Sequence, residues 1–156
     1  MNTFRIAFAL AVAGIGIAAC SGSSSPSAPS VMSLAGNWSG PGANMLGRHT
    51  ISLAISQSGT ALSGTAQTRA ADPNDGTCSS CHMNKLGTFT GTISGTTVSL
   101  NMTFPSGNQS EPTPICSATM SINATDVTQN RIAGTYTGGD TCEGPWLETS
   151  VTITRQ

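Results

Sequence analysis

The chain is predicted to be all-β: one antiparallel up-and-down, lipocalin-like barrel of about eight strands behind an export signal and a flexible tether. Three observations predict it. Ser, Thr and Gly supply about two residues in five, and only six Lys and Arg stand against seven Asp and Glu; helix formers are scarce where β-formers are plentiful. Turn signals recur about every ten to twenty residues from Ser33 onward. The segments between them alternate apolar with polar, which is the pattern of strands with one buried face.

In chain order, residues 1–19 read as a signal peptide. Arg5 supplies a positive start and Ile6–Ala19 is a run of small and apolar residues, too short to span a bilayer but suited to a secretory core. The run ends Ile17-Ala18-Ala19-Cys20. This string resembles the lipobox of bacterial lipoproteins, which implies lipidation at Cys20 and anchoring of the mature chain to a membrane. In that family Ser21 after the acylated cysteine favours the outer membrane. Residues 20–32, rich in Ser and Pro, cannot build a core and read as a tether.

Residues 33–156 form the predicted barrel domain, with strands near 34–40, 48–57, 61–69, 85–93, 97–104, 116–123, 131–137 and 146–155. Ile51, Leu53 and Ile55 alternate with Ser52, Ala54 and Ser56; Val98, Leu100, Met102 and Phe104 alternate with Ser99, Asn101 and Thr103. The inward set extends through Leu62, Phe89, Ile93, Met120, Ile122, Ile132, Tyr136, Val151 and Ile153. It is large enough to fill an eight-stranded barrel with side chains, although such barrels also hold single small ligands. Closure removes exposed strand edges. A recurring motif (Leu34-Ala35-Gly36-Asn37, Leu62-Ser63-Gly64-Thr65, Phe89-Thr90-Gly91-Thr92, Ile132-Ala133-Gly134-Thr135) places a glycine inside four strands, where it permits the coiling of a small barrel.

Gly36-Asn37-Trp38 on the first strand, ahead of a Gly- and Thr-rich meander, resembles the lipocalin and avidin group of eight-stranded barrels. The match is confined to Gly36 and Trp38, and the tryptophans that line an avidin biotin pocket have no counterparts here. A membrane-spanning barrel would reverse the two faces and need aromatic girdles; aromatic residues make up only 4% of the chain.

In a meander the odd connections (41–47, 70–84, 105–115 and 138–145) share one end of the barrel. They collect Cys78, Cys81, Cys116, Cys142, His82, Met45, Met83, Asp140 and neighbouring carboxylates, with His49 at the strand end beside them. An exported chain keeps cysteines oxidised, so two disulfides are expected. A hairpin of the sixth and seventh strands centred near Val127 sets Cys116 opposite about Gly138, with Cys142 a few residues further on. This favours a Cys116–Cys142 bridge and leaves Cys78 and Cys81 to each other. Cys78-Ser79-Ser80-Cys81-His82 also matches the haem attachment motif of c-type cytochromes. That resemblance implies two thioether links, with His82 as proximal ligand and Met45, Met83 or His49 as distal candidates. Its flanks read as an irregular loop rather than the usual helix.

Other chemistry is sparse. A net charge of −1 gives no basic surface for nucleic acid. Arg48, Arg69, Lys85, Arg131 and Arg155 read as solubilising surface charges. The segment 72–83 departs from a calcium loop at the glycine and at the twelfth position. A metal set of Cys78, Cys81, His82 and His49 would need reduced thiols. No paired carboxylates or nucleophile–base motif stands out. The expectation is a non-catalytic lipoprotein of the outer membrane, with no resident cofactor or metal, that binds a small apolar ligand or a protein. The alternative is a tethered electron-transfer protein carrying one covalent haem c.

Overall fold

A computed structural model of the chain describes residues 31–44, 47–70, 85–107, 116–141 and 144–156. The strands are β1 (Gly36–Asn44), β2 (Gly47–Ser58), β3 (Ala61–Ala70), β4 (Lys85–Ser94), β5 (Thr97–Phe104), β6 (Ala118–Val127), β7 (Arg131–Asp140) and β8 (Gly144–Arg155). Each pairs antiparallel with its neighbour in sequence, and β1 meets β8 to close the barrel. The expected eight-stranded up-and-down barrel is therefore the observed one. Among the described residues no helix is long and apolar enough to cross a membrane.

Alternation explains the faces. In β5 every second residue is buried (Val98, Leu100, Met102, Phe104), and its partners Ala124, Ile122, Met120 and Ala118 on β6 are buried opposite them. Every residue of the expected inward set is at most 5% exposed. Leu34, Trp38, Ala66, Val127 and Trp146 join them.

Glycine is required where strands approach too closely for a Cβ. At Gly64 the backbone has φ +157°, and a Cβ would stand 1.9 Å from the Ala54 carbonyl oxygen. At Gly134 a Cβ would meet the Asn123 carbonyl at 2.1 Å, beside the point where β6 carries an extra residue between Ala124 and Asp126. At Gly64, Gly91 and Gly134 the recurring motif thus marks close strand approach in this tightly coiled sheet, whereas at Gly36 it makes room for the Arg155 side chain.

One end of the barrel is sealed. The Trp38 indole N–H donates to the Leu34 carbonyl at 2.8 Å, and both side chains are essentially inaccessible. The Gln57 side-chain amide donates to the Met32 carbonyl at 3.0 Å, and its oxygen accepts from the Leu34 N–H at 2.6 Å. The chain therefore enters the barrel at this end, beside the β2–β3 turn and the C-terminal strand.

The sixth-to-seventh hairpin differs from expectation. β6 runs on to Val127, and the connection shrinks to 128–130. Met120 rather than Cys116 faces Gly138, and Ala118 faces Asp140. Placing the turn near Val127 set the two strands about four residues out of step.

Candidate functional site

At the opposite end, where the odd connections gather, the inward positions turn polar. His49 follows the parity of Ile51 and Leu53 on β2, Thr68 that of Ala66 on β3, and Lys85 that of Gly87 and Phe89 on β4. With Asp140 at the end of β7, all are at most 7% exposed. Thr68 and Lys85 are direct cross-strand partners, as are Ala118 and Asp140. Strand alternation leaves these side chains no outward alternative.

Lys85 reaches across this end and donates from its ammonium to the Cys116 carbonyl. Burial lowers its pKa from the ordinary 10.5, and the negative Asp140 offsets part of that effect. Such a cation needs both a nearby counter-charge and a hydrogen-bond acceptor, because burying an ammonium without them is prohibitive. Cys116 itself is 1% exposed and disulfide-bonded. The remaining cysteines lie outside the described residues.

On the other side the Tyr136 hydroxyl lies 3.4 Å from His49 Nε2, and the two rings meet edge to face, 5.7 Å between centroids. Burial raises the Tyr136 pKa to about 12. The His49 ring lies over Gly42, its cross-strand partner, where a Cβ would come 2.6 Å from Nε2. Gly138 likewise makes room for the six-membered ring of Trp146. Two glycines opposite two large rings are the sequence signal for this end of the core.

Several sequence expectations are corrected here. Lys85 is not a surface charge but an interior cation. Arg155 is not free at the surface either: it stacks on Trp38. Asp140 closes a strand instead of lying in a loop, and His49, expected at a strand end, lies on β2 with its side chain buried. The His49 side chain lies inside the barrel beside Tyr136; the Cys78, Cys81 and His82 that a haem or metal set would add lie outside the described residues. Cys20, Cys78, Cys81, His82, Met45, Met83 and Cys142 lie outside the described residues. Among the described residues no group of three His, Cys, Asp or Glu side chains could hold a metal ion.

The arrangement braces the barrel end from within: β4 is tied to the start of β6, and β2 to β7. Its amine meets the Cys116 carbonyl, and its phenol meets the imidazole of His49. Comparison with protein-family models, with curated proteins and with solved structures finds no match.

Proposed function

We propose that this protein is an exported, lipid-anchored binding module with no catalytic step of its own, held at the outer membrane through Cys20. One observation carries the reading. The chain enters the barrel at the sealed Trp38 end, whereas His49, Lys85 and Asp140, and the strand ends from which the connections 71–84 and 105–117 depart, lie at the opposite pole. A tether running from Cys20 to residue 32 therefore leads to the sealed end of the barrel and leaves the other end free to face away from the membrane. Long connections displayed on a rigid scaffold are where recognition is usually built. The core supports surface recognition over an internal ligand, because Trp38, Tyr136, Phe104, Met102 and Met120 are all almost wholly buried within it.

Metabolic labelling with a fatty-acid analogue, followed by membrane fractionation, tests the anchor. Wild-type protein should carry label and sediment with outer membranes; equal labelling of Cys20→Ala would overturn it. The string Cys78-Ser79-Ser80-Cys81-His82 sustains a second reading, a tethered protein with one covalent haem. A Soret band that survives acid–acetone extraction would establish that reading, and an intact mass without added haem would remove it.

A further inference from the structure

On the outside of the barrel, β1 to β4 enclose a groove of about 670 Å³, within the size range of small-ligand sites. Its floor is two lateral rows of outward side chains fixed by strand register. The first row is Asn37, Ala54, Thr65 and Thr88, each opposite the next across adjacent strands. The second is Ser39, Ser52, Gln67 and Leu86. Gln156, whose backbone N–H donates to the Asn37 carbonyl at 2.9 Å, and Pro105 complete the lining. At the usual strand spacing the rows cross roughly 15–20 Å of surface, about two residues wide.

The chemistry of the lining is selective. Among the described residues that line the groove no side chain is charged, so these residues offer no counter-charge to a phosphate, carboxylate or amine. Hydroxyl and carboxamide groups dominate one side, and each can both donate and accept. Ser39 and Ser52 already pair at 3.2 Å, which fixes that edge of the floor. The far side is apolar: Leu86 is among the large hydrophobic side chains left exposed among the described residues, at 37%, and Pro105 also lines the groove. A ligand that fits must be uncharged, extended, rich in hydroxyl groups along its edges, and apolar on a face.

We infer that this groove binds a neutral oligosaccharide, with Gln67 and Thr88 meeting its hydroxyl groups and Leu86 packing against the C–H face of a sugar ring. The inference goes beyond the anchoring and barrel-end reading above and does not depend on lipidation.

The test titrates the full-length protein in detergent with cello-, chito- and malto-oligosaccharides at millimolar concentration, by calorimetry and by chemical-shift mapping, with oligogalacturonate as the acidic control. At least one neutral series should bind with shifts confined to β1–β4. Gln67→Ala and Thr88→Val should each weaken it about tenfold, the loss of one or two hydrogen bonds. Asn101→Ala, on the outer face of β5 beyond the groove, should leave it unchanged. Failure of all three neutral series to bind would overturn the proposal, as would preference for the acidic control or equal loss in Asn101→Ala. Circular dichroism of each variant confirms that a loss reflects the groove and not the fold.

Discussion

Arg155 lays its guanidinium over the indole of Trp38, 4.7 Å from the ring centroid. The same side chain donates to the carbonyls of Ser33 at 3.0 Å, Ala35 at 2.5 Å and Gln129 at 2.7 Å. One residue at the end of the last strand thus ties down the entering chain, the sixth-to-seventh turn and the tryptophan plug. A lysine has the charge but not the planar fork that spans three carbonyls. Arg155→Lys should therefore destabilise the barrel by about 1–2 kcal/mol, and Arg155→Ala by more. In a Trp146→Phe background, Arg155→Ala should also shift Trp38 emission to the red. Unchanged emission and unfolding midpoint would show that the latch is idle.

Tyr136 gives the fold an alkaline limit. Burial raises its pKa to about 12, whereas the phenol of the unfolded chain ionises near 10. The contribution of the neutral phenol is fully present below pH 10 and is lost as pH rises from 10 toward 12, because the unfolded state releases its proton first. A shift of that size corresponds to about 2–3 kcal/mol across the window. Tyr136→Phe removes this limb, at the cost of the contact with His49 Nε2 at neutral pH. Urea unfolding at several pH values should show the wild-type curve falling above pH 10 and the variant curve staying flatter.

Lys85 responds in the opposite sense. Burial lowers its pKa below 10.5, so the protonated amine is costlier in the barrel than in the unfolded chain. That cost is relieved as pH rises through the folded value toward 10.5. Lys85→Met should abolish this rise. It should also lower stability at pH 7 by about 1–3 kcal/mol, since the buried Cys116 carbonyl loses this donor. Denaturant titrations at pH 7 and pH 9.5 separate the two effects. A variant as stable as wild type at pH 7 would mean that the strut from β4 to β6 contributes nothing.

The sequence made the barrel legible because alternation is a local property. Ile51, Leu53 and Ile55 fix the inward face of β2 without knowledge of any other strand. The polar end of the core was harder to see. The parity that places Ile51 inside also places His49 inside, and the parity of Phe89 does the same for Lys85. The ordinary preference of charged groups for water argued the other way. Parity prevails because a closed barrel admits no one-residue slip without exposing the whole strand. The register near Cys116 departs from expectation for a different reason. The hairpin turns later than Val127, at residues 128–130, and its strands also absorb a bulge near Ala124; composition shows neither. The outer groove depends on four strands meeting in one register, a relationship that no single segment contains.

Gly64 and Gly59 separate two roles of glycine within one hairpin. At Gly59 φ is +58° and no atom lies within 4 Å of the position a Cβ would take. Gly59→Ala should therefore cost only the left-handed backbone preference, about 1 kcal/mol. At Gly64 a Cβ would overlap the Ala54 carbonyl and press on the Phe89 ring. Gly64→Ala must part β2 from β3 and should cost upwards of about 3 kcal/mol. Thermal unfolding of the two variants tests the difference, and equal losses would show that the sheet relaxes freely at Gly64.

The disulfide of Cys116 can be assigned by carrying the observed register one pair further. Ala118 faces Asp140. Beyond that pair the Thr141 N–H donates to the Ser117 carbonyl at 3.0 Å, and the Ser117 N–H to Thr141 Oγ1 at 3.2 Å. The next pair in this sequence is 116 with 142, so Cys142 is the expected partner, in preference to Cys78 or Cys81. The bridge would close a loop spanning the sixth and seventh strands, and in the chain-entropy account a loop of that length stabilises by about 3 kcal/mol. Peptide mapping under non-reducing conditions should recover one peptide pair joining Cys116 to Cys142. The double variant Cys116→Ser with Cys142→Ser should unfold at lower denaturant while Lys85 still reaches the residue 116 carbonyl. Recovery of Cys116 joined to Cys78 or Cys81 would break the assignment, because it would draw the third-to-fourth connection onto the start of β6 instead of fastening β6 to the end of β7.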